Sequence, residues 1–203
     1  AMINKKGKYE SQSDIIDDII NVKGDFIVNG NVTAETLLVN GRVFVSENIN
    51  VKTININGNI ETKCIKAEEL KARGFLVCDK INTQVLSING QINCNSIDGD
   101  SIYLLLSNKN KIDNIKGKSI SIDKYKTKDI STFSEKLREN IPFLKFVDID
   151  GIYSKFTENL NKETKISINK IDGEEIKINN SSNFSILCKV NSPNAINLEI
   201  LYC

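Results

Sequence analysis

The sequence predicts an all-β fold: a right-handed parallel β-solenoid of triangular section, with three short strands per 16–18 residue coil and one inserted amphipathic helix. Three observations predict it. Glycines recur at Gly24, Gly41, Gly58, Gly74 and Gly90, spaced by 17, 17, 16 and 16 residues. Between them the same three alternating apolar pairs return, and the motif I-x-G-x-x-I-x-(I/L) appears at Ile97, Ile115 and Ile171. Short period-2 runs with one apolar face cannot bury that face within one repeat, so neighbouring repeats must stack.

The first full repeat pairs Phe26 with Val28, Val32 with Ala34 and Leu37 with Val39; the second pairs Val43 with Val45, Ile49 with Val51 and Ile54 with Ile56. The third has Ile60 and Thr62, Ile65 and Ala67, Leu70 and Ala72; the fourth has Leu76 and Cys78, Ile81 and Thr83, Leu86 and Ile88. A fifth coil follows in QINCNSIDGDSIYLL, and a sixth after the lysine-rich corner SNKNK. The block-ending glycines supply positive φ at one corner. Asn40, Asn57 and Asn89 precede three of them and are expected to bond as a ladder that Arg73 interrupts. Right-handedness is expected from the crossover preference and from the absence of a strict six-residue repeat.

On this reading residues 1–12 are a disordered tag and tail, with Ala1 a cloning remnant, and 13–128 form the main solenoid. Ser13 is placed to cap a helical turn over DIIDDII, but Ile20 and Val22 share register with Leu37 and Val39, which favours an incomplete first coil. Residues 129–162 form a helix and linker. Thr132 and Glu135 make a capping box, Phe133, Leu137 and Ile141 give a four-residue apolar spacing, and the helix ends near Pro142. Covering a flank of the tube is the simpler role for it; a partner-binding or membrane-surface role stays open, although its polar face mixes both charges. Asp148 and Asp150 beside Gly151 lack the further ligands of a calcium loop. Residues 163–203 form a second solenoid segment that continues the first, because two coils alone make too small a core.

Composition bounds the chemistry. A net charge of +1 leaves no global footprint for nucleic acid or membrane. The absence of histidine excludes Ser-His-Asp and Cys-His catalysis and histidine-ligated zinc. No phosphate-binding loop, dinucleotide fingerprint or nucleophile elbow is present. Cys64, Cys78, Cys94, Cys188 and Cys203 form no C-x-x-C pair and read as reduced thiols of a cytoplasmic protein. Cys78 and Cys94 share a repeat position, so they should stack about 4.8 Å apart as small core residues. No apolar run approaches a membrane span, and no signal core precedes Asp14.

Candidate reactive groups are few. Asp98 and Asp100, or Glu174 and Glu175, have the residue type for sugar cleavage, but at repeat corners they read better as solvated turns. Seven lysines against two aspartates between Asn108 and Lys128 make one basic patch, best read as a solvated flank, with an anionic surface as the alternative. Tyr103, Tyr125 and Tyr153 do not align as a sugar-binding row. The sequence therefore assigns no catalytic, cofactor-binding or metal-binding residue and expects no nucleic-acid partner. The register also leaves the regular tube with no concave site, so function falls to the outer faces, the ends or the helix.

The blocks ending in VNG, ING and ARG, the stretch IETKCIKAEELKARGFLVCDKINTQVLSINGQI and the later IDGEEIKI resemble the polymer-forming cytoskeletal proteins of the bactofilin superfamily, in particular its longer cytoplasmic branch in low-GC Gram-positive bacteria. The resemblance covers about Val22 to Lys126 and Ile166 to Tyr202. It implies a right-handed β-solenoid acting as a bacterial scaffold that polymerises end to end and gathers partner proteins. The chain departs from the compact pattern in its long insertion and its lack of proline-rich tails. The expected function is thus a non-enzymatic, self-associating scaffold that presents its outer faces to partner proteins. The alternative is a carbohydrate-binding or carbohydrate-cleaving β-helix.

Overall fold

The computed structural model describes residues 1–124, 139–140, 164–178, 184–191 and 199–201. These form a parallel β-solenoid of about seven turns. The strands are β1 (Met2–Lys6), β2 (Tyr9–Ser11), β3 (Ile15–Ile16), β4 (Ile19–Lys23), β5 (Phe26–Val28), β6 (Val32–Val45), β7 (Asn48–Glu61), β8 (Cys64–Leu106), β9 (Lys109–Lys124), β10 (Thr164–Ile178), β11 (Phe184–Asn191) and β12 (Glu199–Leu201). All twelve belong to one sheet. The three short strands expected per coil merge from β6 onward, because the ladder continues around the corners. β8 alone runs for 43 residues.

Register follows the glycine spacing. Leu37 pairs with Ile54 and Val39 with Ile56, then Ile54 pairs with Leu70 and Ile56 with Ala72. The inward residues form one continuous core in which Phe26, Leu37, Ile49, Ile54, Ile65, Leu76 and Leu86 are fully buried. Ala34 and Ala67 are only half-buried, because their short side chains leave the wall thin.

The corner glycines are required twice over. Gly24, Gly41, Gly58, Gly74 and Gly90 have φ between 139 and 148°, a region that side chains avoid. They also stack so closely that a Cβ on Gly58 would be driven into the carbonyl oxygen of Gly41. Gly99, Gly117 and Gly173 pair in a second column. There the constraint is space alone: a Cβ on Gly117 would sit 2.9 Å from Ile102 Cδ1.

One expectation at the corners needs correction. Asn40 and Asn57 do pair in register, but no side-chain hydrogen bond joins them or Asn89 among the described residues. Those side chains stand outward at a corner whose backbone groups already bond along the ladder. The asparagine ladder lies at another corner, where Asp14 Oδ1 accepts from Asn31 N at 2.7 Å and Asn31 Oδ1 accepts from Asn48 N at 3.0 Å. Cys64, which pairs with Asn48, ends it.

Residues 1–12 are not a disordered tail. β1 pairs with β4 over Met2–Lys6 and β2 with β5 over Tyr9–Ser11, so they build a first coil. The edge of the next coil supplies a template, and Tyr9 stacks on Phe26 with ring centroids 5.6 Å apart. The expected helix near 132–142 lies outside the described residues, apart from 139–140, which are too few to define it.

β10 continues the stack, pairing with β9 from Lys165–Lys109 to Ile178–Ile122. Asn110 sits at this junction, only 4% exposed at a core position that pairs with Ile166. Its Oδ1 accepts from Ile92 N at 2.8 Å, while Nδ2 donates to Ser107 O at 2.9 Å and Lys165 O at 3.2 Å. One buried amide thus joins three successive coils with its polar atoms satisfied. β11 pairs parallel with β10, and β12 then runs antiparallel to β11.

Candidate functional site

The residues of the core are spent on stacking, and the surface carries the features available for function. A groove of about 560 Å³ runs along the tube over residues 33–35, 50–52, 66–68, 82–84 and 98–100. It corrects the expectation that the tube has no concave site. Its floor is the middle residue of each triplet, Ala34, Val51, Ala67, Thr83 and Gly99, whose small side chains leave a trough between taller polar flanks. Thr83 is buried and its hydroxyl lies 3.1 Å from Glu68 O and 3.0 Å from Val85 O, so it serves the wall.

Asp98 and Asp100, the acids singled out by sequence, stand exposed on opposite sides of Gly99 at one end of this groove. Their neighbours explain the Asp98 position. Asp98 pairs with Lys116 and Lys116 with Asp172, so charge alternates from coil to coil. Like charges stacked there would repel, and the alternation favours the native register. Glu175 pairs with Ser119, and Glu174 is exposed beside it; the two acids lie two turns of the ladder beyond Asp100 and share no site with it.

The basic patch divides in the same way. Lys116 lies between two acids, whereas Lys109 pairs with Lys165 and, with exposed Lys111, leaves a short basic strip on a different side of the coil. Tyr103 is 43% exposed, while Tyr125 and Tyr153 lie outside the described residues.

The sequence reading missed a second depression. Phe44 and Phe75 stand on the outer face with Asn59 and Glu61 between them, around a hollow of about 390 Å³ bordered by Ile27 and Val77. Period-2 alternation gave these positions to the solvent side, and the only available signal was a phenylalanine beside inward residues, between two in VFV and before one in GFL. Beside it Arg42 Nη2 donates to Asp25 Oδ2 at 2.8 Å, which holds the Asp25 carboxyl below its usual range. The pair is exposed, so it positions side chains more than it stabilises them.

Cys78 and Cys94 occupy one core column with their sulfurs 3.6 Å apart. The hydrogen bond to Cys94, and then burial, keep the Cys78 thiol protonated well above its ordinary range. Among the described residues, no cluster of three or more carboxylates and thiols is placed to hold a metal ion, and no helix is long and apolar enough to cross a membrane. No family model matches the chain, and no curated protein or solved structure is significantly similar to it.

Proposed function

We propose that this protein is a non-enzymatic, bactofilin-like scaffold of the bacterial cytoplasm. On this reading it is a right-handed, triangular rod that self-associates through a solenoid end and presents its outer faces to partner proteins. The observation that supports it best is the parallel ladder that joins β1 to β11. It makes a stiff rod in which coil bonds to coil through strand edges. A row of unpaired N–H and C=O groups at the end of a stacked core is a template for further pairing. The test is light scattering and negative-stain microscopy of the purified chain at rising concentration. Discrete oligomers or filaments are expected, and a strict monomer at high concentration would overturn self-association.

The long groove favours one second reading, a carbohydrate-binding β-helix, because at least one amide or carboxylate flanks it at every coil. A glycan array separates the two. Specific glycan capture that is lost on Asn82→Ala, which alters only a groove flank, would favour the second reading over the first.

A further inference from the structure

The two demands on the first coil conflict: its backbone is open to pairing, whereas its side chains are not. Three inward columns reach this end; within the tube they are apolar or, at Thr62 and Thr83, hydroxyls bonded to backbone carbonyls, and two of them end in a charge. Lys5 pairs with Val22, which pairs with Val39; Ser11 pairs with Val28, which pairs with Val45. Asp17 follows Ile16 into the position below Ala34, its N–H donating to Thr33 O at 3.0 Å. Each strand of the coil therefore carries one apolar inward residue, Ile3, Tyr9 or Ile15, followed by one polar one, Lys5, Ser11 or Asp17.

The two charged groups are the ones that belong at an end. Asp17 Oδ1 accepts from Asp18 N at 3.0 Å, whereas Ser11 Oγ donates to Ser13 O at 2.7 Å in the same way that buried Thr83 bonds to Val85 O within the stack. Lys5 reaches water, as its exposure shows. Covering this face with another coil would strand an ammonium and a carboxylate in a stacked core.

Geometry rules out a compensating arrangement. In a head-to-head pair of copies the facing strands run antiparallel, so the first inward residue of each strand meets the second of its partner. With the order apolar then polar in all three strands, every apolar residue would face a polar one. A head-to-tail stack would set Lys5 and Asp17 beneath the last coil of the next copy.

We propose that the first coil is a cap: Lys5 and Asp17 close two of the three core columns with charge, so a second copy of this chain cannot stack on this end. The inference rests on the scaffold reading and removes this end from its self-association, which limits assembly to a discrete species and not an open filament. Inward charges on an edge are a known means of refusing a strand partner.

The test compares the full chain with Lys5→Val/Asp17→Val by multi-angle light scattering and negative-stain microscopy. The wild type should keep one finite mass, whereas the uncapped variant should grow longer rods, with half-assembly at a concentration lower by about tenfold or more. Equal masses for the two proteins at all concentrations, or open filaments of the wild type, would overturn the cap. A monomeric wild type beside an assembling variant would keep the cap and remove only self-association of the native chain. Circular dichroism melting checks that the variant is folded. Should it fail to fold, Ile3→Glu answers the same question, since adding a charge to a face already closed should leave the wild-type mass unchanged. A fall in mass would show that the face is in use.

Discussion

At the residue scale the corner glycines carry the most specific constraint. Gly58 combines φ 144° with a carbonyl of the coil beneath it, whereas Gly7 has φ 94° and nothing within 4 Å of an added Cβ. Gly58→Ala therefore incurs backbone strain and a backbone clash together, and Gly7→Ala only strain. Chemical denaturation should show Gly58→Ala losing about 1–3 kcal/mol from strain alone, with the clash adding to it, and Gly7→Ala losing less. Equal losses would mean that the stacked corners are not in contact. Spacing alone made the need for positive φ legible. The clash was not, because it depends on how closely two corners approach.

At the element scale the strands are longer than the sequence suggests, since a ladder that turns a corner without losing its bonds has no local stop signal to read. The shared column of Cys78 and Cys94 was legible from their 16-residue offset, and the structure adds that both thiols face the core, 7% and 2% exposed. Cys64 lies outside that column and is half-buried. Alkylation of the native protein, mapped by peptide mass spectrometry, should modify Cys64 at least about tenfold faster than Cys78 or Cys94. Matching rates in the native state would place the pair at the surface and undo the register of β8. Charge columns such as Asp98, Lys116 and Asp172 belong to this scale as well. Each residue is unremarkable in sequence, and the alternation appears only once the coils are aligned.

At the scale of the whole molecule each coil touches only its neighbours, so the cost of a defect depends on its place along the tube. Ile54 is fully buried between coils on both sides, and Lys52 is exposed. Ile54→Lys buries an unpaired charge in mid-stack and should remove several kcal/mol, a large part of the roughly 5–15 kcal/mol typical of a domain. Lys52→Gln should stay within about 0.5 kcal/mol. Denaturation midpoints check both, and similar losses at the two positions would contradict the inward and outward assignment. Only the assembled molecule shows that residues 1–12 form a coil and that β10 resumes the ladder after the insertion. Both pairings join segments through an edge the rest of the tube provides.

The sequence by itself determined the repeat, the inward residues and the parallel stacking, because period-2 alternation and corner glycines are local requirements of every coil. The tertiary structure alone decided the groove, the Phe44 and Phe75 hollow, the three-coil bonds of Asn110 and the placing of Lys5 and Asp17 on inward columns of the first coil. These depend on which side chains of different coils are brought to one level, and that is a property of the stack, not of any single repeat.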